Sequence, residues 1–412
     1  MISMEVGKQD YSISSLNSRC ELLSKQLTVL LGFVVPISTW ATNFVLSLIM
    51  ITWLFSGNIR SRAALIWANP ISRMALMVFG IFFIAAFYSI AKRQDIILSL
   101  SKMVKLICIP FLLSCMTDPK WRRLGVWAFL SAMLITWILS ILKVYVGLPV
   151  GQHIHFSSAC IFKDHIYTNL MMSFAAFIMA HFALSEKNAW YRLGYGIIVT
   201  GLVFYIFFMS EGRTGYVIFA CLCFLFCFQR FGIKGLCIGL LSLLLLMSLS
   251  FANSQHFKDR LSQVVQNLEQ YRQGDSNTSI GARLQYYRDT YLLAKRHPWI
   301  GYGTGSFKNV YEVYAEEKGL MTTNNPHNEY LNILIQVGLL GLGVFLGFLY
   351  TLFKASLMLK SPSQWFAQGL VLAMAVGCLA NSWIMDFTSG YFFVMLIAFC
   401  FGGLQDGGKH YG

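Results

Sequence analysis

The sequence predicts an all-α integral membrane protein of about twelve transmembrane helices, with one large helical loop folded outside the bilayer. Three observations carry that prediction. Hydrophobic residues make up 56% of the chain and charged residues 12%, and the mean hydropathy is +0.59. Apolar runs recur from Leu27 to the C-terminus, and a bilayer core needs about 17 to 25 such residues per helix. A polar island between Asn253 and Asn325 interrupts them. Loops of that length are functional or disordered, and its apolar periodicity marks it as folded.

The elements follow in order. Residues 1–26 form a polar N-terminal tail with no basic-then-apolar pattern and cleavage site, so no cleaved signal peptide is expected. Nine spans fall in residues 27–252, at 27–39, 42–57, 74–90, 96–115, 124–146, 166–184, 193–209, 213–229 and 234–251. Residues 253–326 are the loop subdomain. Phe257, Leu261, Val264, Val265, Leu268 and Tyr271 share one helical face, and a turn-rich stretch, Gly274 to Thr278, follows. A second helix runs from Ser279 to Arg296 and stops before His297-Pro298. Gly301, Gly303 and Gly305 form a tight loop, and a third helix over 306–318 ends at Gly319. Three spans, 328–352, 364–384 and 389–404, occupy residues 327–404, and 405–412 is a short tail.

Lys and Arg set the orientation. With the N-terminus inside, the inner segments carry Lys8, Arg19, Lys25, Arg60, Arg62, Arg73, Lys120, Arg122, Arg123, Lys187, Arg192, Arg230, Lys234, Lys354, Lys360 and Lys409. The short outer loops hold Lys92, Arg93, Lys163 and Arg213, with Lys143 near the outer end of the fifth span. The positive-inside rule places both termini in the cytoplasm and the island on the far side, the periplasm of a Gram-negative cell. Much of the net charge of +14 is therefore topological, facing an anionic leaflet. No basic stripe stands apart from it, so nucleic acid is not an expected partner. Most of the ten cysteines lie in apolar segments without ligand spacing and read as packing residues.

Candidate chemistry concentrates on the outer face. Arg213, in Ser210-Glu-Gly-Arg-Thr-Gly215, reads either as an interfacial snorkelling side chain or as an anion ligand with close approach permitted by Gly212 and Gly215. Arg283 opens the second island helix, where the dipole disfavours a cation. That points to an anionic partner, or to a salt bridge with Asp289 or Glu312. Asn325 as N-cap and Pro326 at the first helical position place His327 in the first turn of the tenth span. The positive helix end keeps the imidazole neutral, as a general base must be; a structural role is the alternative. Lys102 and Lys105, one turn apart in the fourth span and about 9 to 13 Å below its outer end, line a polar cavity or snorkel outward. The chain has no Asp-x-Asp pair or carboxylate cluster, which argues against a Mg²⁺ or Mn²⁺ site. His153, His155 and His165 lack thiolate or carboxylate partners, so no metal or other cofactor is expected. Two or three cations and a neutral base beside a bilayer suit a pyrophosphate-linked lipid donor whose acceptor hydroxyl is deprotonated.

The motifs Ser279-x-Gly281-x-Arg283, Pro298-x-x-Gly301-x-Gly303-x-Gly305 and Pro326-His327-Asn328-x-x-Leu331, followed by Gly338-Leu-Leu-Gly341, resemble the O-antigen ligase/polymerase family. The match is strongest from about Ser210 to Phe345; the first third resembles the family in hydropathy alone. The resemblance implies a glycosyltransferase C-type architecture and an inner-membrane enzyme without a metal. Its reaction would join an undecaprenyl-pyrophosphate-linked O-antigen to lipid A–core oligosaccharide at the periplasmic face. It also implies Arg213, Arg283 and His327 as catalytic residues, with Arg213, Arg283, Lys102 or Lys105, and Asn328 on the substrate. Gly281, Pro298, Gly301, Gly303, Gly305 and Pro326 would shape the loop. Gly212 stands where the family usually has Ser, which weakens the assignment of Arg213. An O-antigen polymerase uses the same donor, and the Pro326-His327-Asn328 match favours the ligase. A protein-glycosylating relative would carry a further C-terminal domain. A lipid-linked sugar transporter or flippase, acting on membrane lipids, would show charges midway through several spans.

Overall fold

The computed structural model describes residues 2–57, 59–149, 159–210, 212–273 and 278–405. The turn residues Gly274 to Asn277, the histidines His153 and His155, Glu211 and the tail from Asp406 lie outside them.

Seventeen α-helices follow one another: α1 (Ile2–Val34), α2 (Thr39–Leu54), α3 (Ile59–Ala68), α4 (Pro70–Ala85), α5 (Arg93–Met103), α6 (Lys105–Cys115), α7 (Pro119–Ile141), α8 (His165–Ser185), α9 (Ala189–Phe204), α10 (Arg213–Phe231), α11 (Ile233–Asn253), α12 (Gln255–Arg272), α13 (Ser279–Ala294), α14 (Phe307–Lys318), α15 (Glu329–Ser356), α16 (Ser363–Ala380) and α17 (Phe387–Phe401). No strand occurs among the described residues. Short polar residues set many of the helix starts. The side chains of Ser38, Asn69, Asp118, Asp164, Asn188, Ser254, Thr278, Asn328 and Asp386 each accept a backbone N–H of the first turn, satisfying donors that a helix leaves unpaired.

The chain is a multi-pass membrane protein. Among the described residues nine helices are long and apolar enough to cross a bilayer, or ten if the bent pair α2 and α3 counts as one span. About twelve were expected, and the difference from the helices that pass this test lies wholly before Arg93. There α1 runs unbroken from Ile2 through the expected tail. The Asn69 cap and Pro70 fix the start of α4, which is only 16 residues long. A hydropathy window sees these apolar runs but not where a cap or turn cuts them.

Helix α17 occupies the centre, buried from Thr388 to Phe401, and packs on α6 and α16. Phe392 meets Phe129 of α7 and Phe174 of α8 with ring centroids 5.7 and 5.6 Å apart. Helix α11 is peripheral and leaves Leu240, Leu241, Leu244 and Leu245 exposed, the surface a lipid-facing helix presents.

The island folds as predicted into α12, α13 and α14, around a small core of Tyr286, Leu293, Phe307, Tyr311 and Ala315 that Ile335 of α15 completes. Its glycine loop is tied to a break in α15 at Gly338, whose φ of 64° and ψ of −166° are not helical. The amides of Leu339 and Leu340 turn away to the carbonyls of Pro298 and Trp299, at 2.7 and 3.2 Å. The carbonyls of Ile335 and Gln336, which thereby lose their helical donors, accept from Tyr302 and Gly303 at 2.9 and 2.8 Å. This exchange satisfies the backbone groups a broken membrane helix would orphan. Only glycine fits at 338, since a Cβ there would lie 2.2 Å from the Trp299 oxygen. The loop also meets the turn before α5, where a Cβ on Gly303 would lie 2.2 Å from Ser89 Cα. The glycines are packing points between island and bundle.

Candidate active site

Three arginines converge at the island end of the bundle. Arg213 is the first residue of α10, held there because Asn169 of α8 packs against Gly212 and Gly215 and donates to the Gly212 carbonyl at 3.2 Å. Arg260 extends from α12, and Gln263 Oε1 accepts from both guanidinium groups at 3.2 Å. Arg283 is the fifth residue of α13, whose start is fixed by Thr278 Oγ1 accepting from the buried Gly281 N at 3.1 Å. All three line one cavity of about 490 Å³, together with His165, Thr214 and Ser279. A second, apolar cavity of about 240 Å³ shares Arg213 and Arg260 and continues between Phe207, Tyr216, Leu243, Met247, Phe257 and Leu261.

Among the described residues no ion pair reaches Arg213 or Arg283. The expected alternative of a salt bridge to Asp289 does not form. That carboxylate instead accepts from Gln285 Nε2 at 2.8 Å and from the Tyr311 and Tyr314 hydroxyls at 3.3 and 3.5 Å. Guanidinium groups gathered in one half-buried cavity repel one another, an arrangement relieved by a multivalent anion.

His327 stands beside this cavity without lining it. The expected cap is corrected: Asn328, not Asn325, caps α15, accepting from Leu331 N at 3.1 Å. Pro326 and His327 therefore precede the helix, and His327 takes a left-handed φ of 54°. Asn325 Oδ1 supports that strained conformation by accepting the His327 N–H at 2.9 Å, and such strain persists where surroundings enforce it. The ring Nδ1 is 3.3 Å from Asn381 Oδ1. That oxygen also accepts from Ser382 N at 3.0 Å, which identifies it as the amide acceptor, so Nδ1 carries the proton and Nε2 keeps its lone pair. Burial, and then the positive charge of Arg283, hold the imidazole below its ordinary pKa against the opposing Asn381 contact. The ring is neutral at pH 7 for these reasons rather than through a first-turn dipole.

The other predicted residues are placed elsewhere. Asn328 is committed to the fold: besides its cap, its Nδ2 donates to the Leu379 carbonyl at 3.1 Å. Lys102 and Lys105 flank Val104, the residue between α5 and α6 whose φ and ψ stay helical, within one apolar span, Arg93–Cys115. Lys105 is 2% exposed, donates to the Asp386 carbonyl, and lies 5.4 and 5.3 Å from the Phe387 and Tyr391 ring centres. Lys102 is half-buried, and neither lysine lines the arginine cavity. The described residues contain no group of three or more His, Cys, Asp or Glu suited to a metal ion. Sequence reasoning missed Arg260, Gln263 and Asn381. Arg260 had a signal: it sits three residues after Phe257 and four before Val264, beside the apolar face of α12.

An uncharacterized protein of Haemophilus influenzae is 23% identical over 337 residues, which cover 74% of this chain and 81% of that protein. A family model described as O-antigen ligase matches residues 198–346. That stretch takes in Arg213, Arg260, Arg283 and His327. The match supports a role for this chain in O-antigen or related polysaccharide assembly. Over residues 198–346 the chain is similar to the O-antigen ligase family.

Proposed function

We propose that this protein is a metal-independent O-antigen ligase. It would transfer O-antigen from undecaprenyl pyrophosphate to lipid A–core oligosaccharide at the periplasmic face of the inner membrane. The observation that carries the reading is the cavity lined by Arg213, Arg260 and Arg283, which shares Arg213 and Arg260 with an apolar cavity and is flanked by a neutral His327. Pyrophosphate fits the guanidinium groups, and the first isoprene units fit the apolar cavity. His327 Nε2 takes the proton of an acceptor sugar hydroxyl. The oxygen forms its bond to the anomeric carbon as the bond from that carbon to the pyrophosphate oxygen breaks, with inversion. The charge left on undecaprenyl pyrophosphate is stabilised by the arginines.

Deletion of the gene, followed by lipopolysaccharide electrophoresis, tests the reaction. Uncapped core with retained long lipid-linked chains is the ligase outcome. Core bearing a single repeat identifies a polymerase instead, and unchanged lipopolysaccharide rejects both.

A further inference from the structure

A glycosyl transfer needs a seat for its acceptor as well as its donor. We propose that the cavity lined by Thr39, Trp40, Lys163, Tyr167 and Thr388 binds the terminal saccharide of the acceptor glycan, an inference that rests on the ligase reading above. The cavity measures about 330 Å³, within the range of small-ligand sites. It is built from the turn between α1 and α2, the segment entering α8 and the start of α17.

Its chemistry is that of a carbohydrate site. Hydroxyls from Thr39, Tyr167 and Thr388 stand with the Lys163 ammonium and the Asp164 carboxylate, a dense set of donors and acceptors for a ring of hydroxyls. They are fixed to one another across three helices. Lys163 Nζ donates to Thr39 Oγ1, which lies 3.4 Å from Thr388 Oγ1. The Tyr167 hydroxyl donates to Asp386 Oδ2 at 2.8 Å. Trp40 is 76% exposed and stacks parallel on Phe44 at 5.7 Å, so a broad aromatic face is offered to the C–H side of a sugar. A tryptophan serving only as a membrane-interface anchor would not need this polar network beside it.

Two chain segments join the cavity to the proposed reaction centre. His165 and Ile166 line the arginine cavity, while Phe162, Lys163, Asp164 and Tyr167 line this one. The segment after α16 holds His327 through Asn381. It then holds Tyr167 through Asp386 and reaches the cavity at Thr388.

The test uses the full-length protein in nanodiscs, with delipidated core oligosaccharide as the probe. With saturating lipid-linked donor, Trp40→Ala and Lys163→Gln should each raise the acceptor KM roughly five- to tenfold and leave the donor KM unchanged. Saturation-transfer NMR with the oligosaccharide alone should lose its sugar contacts in Trp40→Ala. Trp40 is exposed, so an unchanged melting temperature verifies that variant. Unaltered acceptor KM and NMR contacts in both variants would overturn the subsite. Absence of any transfer by the unmodified protein would sink the ligase reading, and the NMR arm would still decide whether a saccharide binds here.

Discussion

Replacing Arg213 by Gln should leave the ligand-free protein nearly as stable as before while cutting donor affinity roughly ten- to hundredfold. Arg213 Nη2 and Arg260 Nη1 each lie 3.2 Å from the same Gln263 oxygen, so these two nitrogens are at most 6.4 Å apart. Two unit charges at that distance repel by about 0.6 kcal/mol in water and about 2.6 kcal/mol at an effective dielectric constant near 20. The half-buried setting of both residues puts the repulsion between those limits. Removing Arg213 relieves it, and also relieves a cation at the start of α10. The same change deletes a charge-assisted hydrogen bond to Gln263, a contribution of about 1.5 to 3 kcal/mol. The two effects offset, leaving a net change of about 1 kcal/mol or less. With pyrophosphate bound there is no repulsion to relieve, and a contact of that strength is simply lost. Thermal unfolding in detergent, with and without a polyprenyl pyrophosphate, measures the first quantity, and titration calorimetry the second. If Arg213→Gln destabilises the ligand-free protein strongly and binds donor normally, Arg213 is an interfacial structural residue and not a donor ligand.

Other predictions follow from the same geometry. His327→Ala should lower turnover by about 100-fold or more with donor affinity largely kept; near-normal turnover would leave His327 as a strained structural residue only. Because burial and Arg283 hold the His327 pKa low, the working neutral base is lost only as pH falls through that lowered value. The acid limb of the pH–rate profile should therefore lie below the ordinary imidazole range, and Arg283→Gln should move it to higher pH; an unmoved limb would assign it to another group. Gly303→Val joins a positive φ of 92° to a Cβ 2.2 Å from Ser89 Cα and should cost at least about 3 kcal/mol of stability, read as a lowered melting temperature. With cysteines introduced singly at Thr322 and Ser363, an impermeant thiol reagent added from the periplasm should label only the first, and labelling of the second alone would reverse the orientation.

The sequence by itself determined the class, the island and much of its interior. Hydropathy is a sum over neighbouring residues, so the spans after Arg93 were legible from composition. The same holds for α12, α13 and α14, whose periodicity and terminal residues are local signals. Arg213, Arg283 and His327 stood out because each is a polar residue where its surroundings disfavour one. Only the tertiary structure decided what those residues meet. Arg260 joined the cavity because α12 folds back over α10, and no local pattern encodes a contact between residues 213, 260 and 283. The neutral state of His327 comes from burial and from Arg283, and Asn381, far along the chain, orients its ring. Lys105 is buried because the start of α17 packs beside it, where the Asp386 carbonyl accepts from its ammonium. The kink of α15 at Gly338 is stable only because the Pro298–Gly303 loop supplies and accepts the displaced hydrogen bonds. Propensity, caps and hydropathy act over a few turns of chain, whereas charge, desolvation and orphaned backbone groups are settled by whatever packing brings alongside.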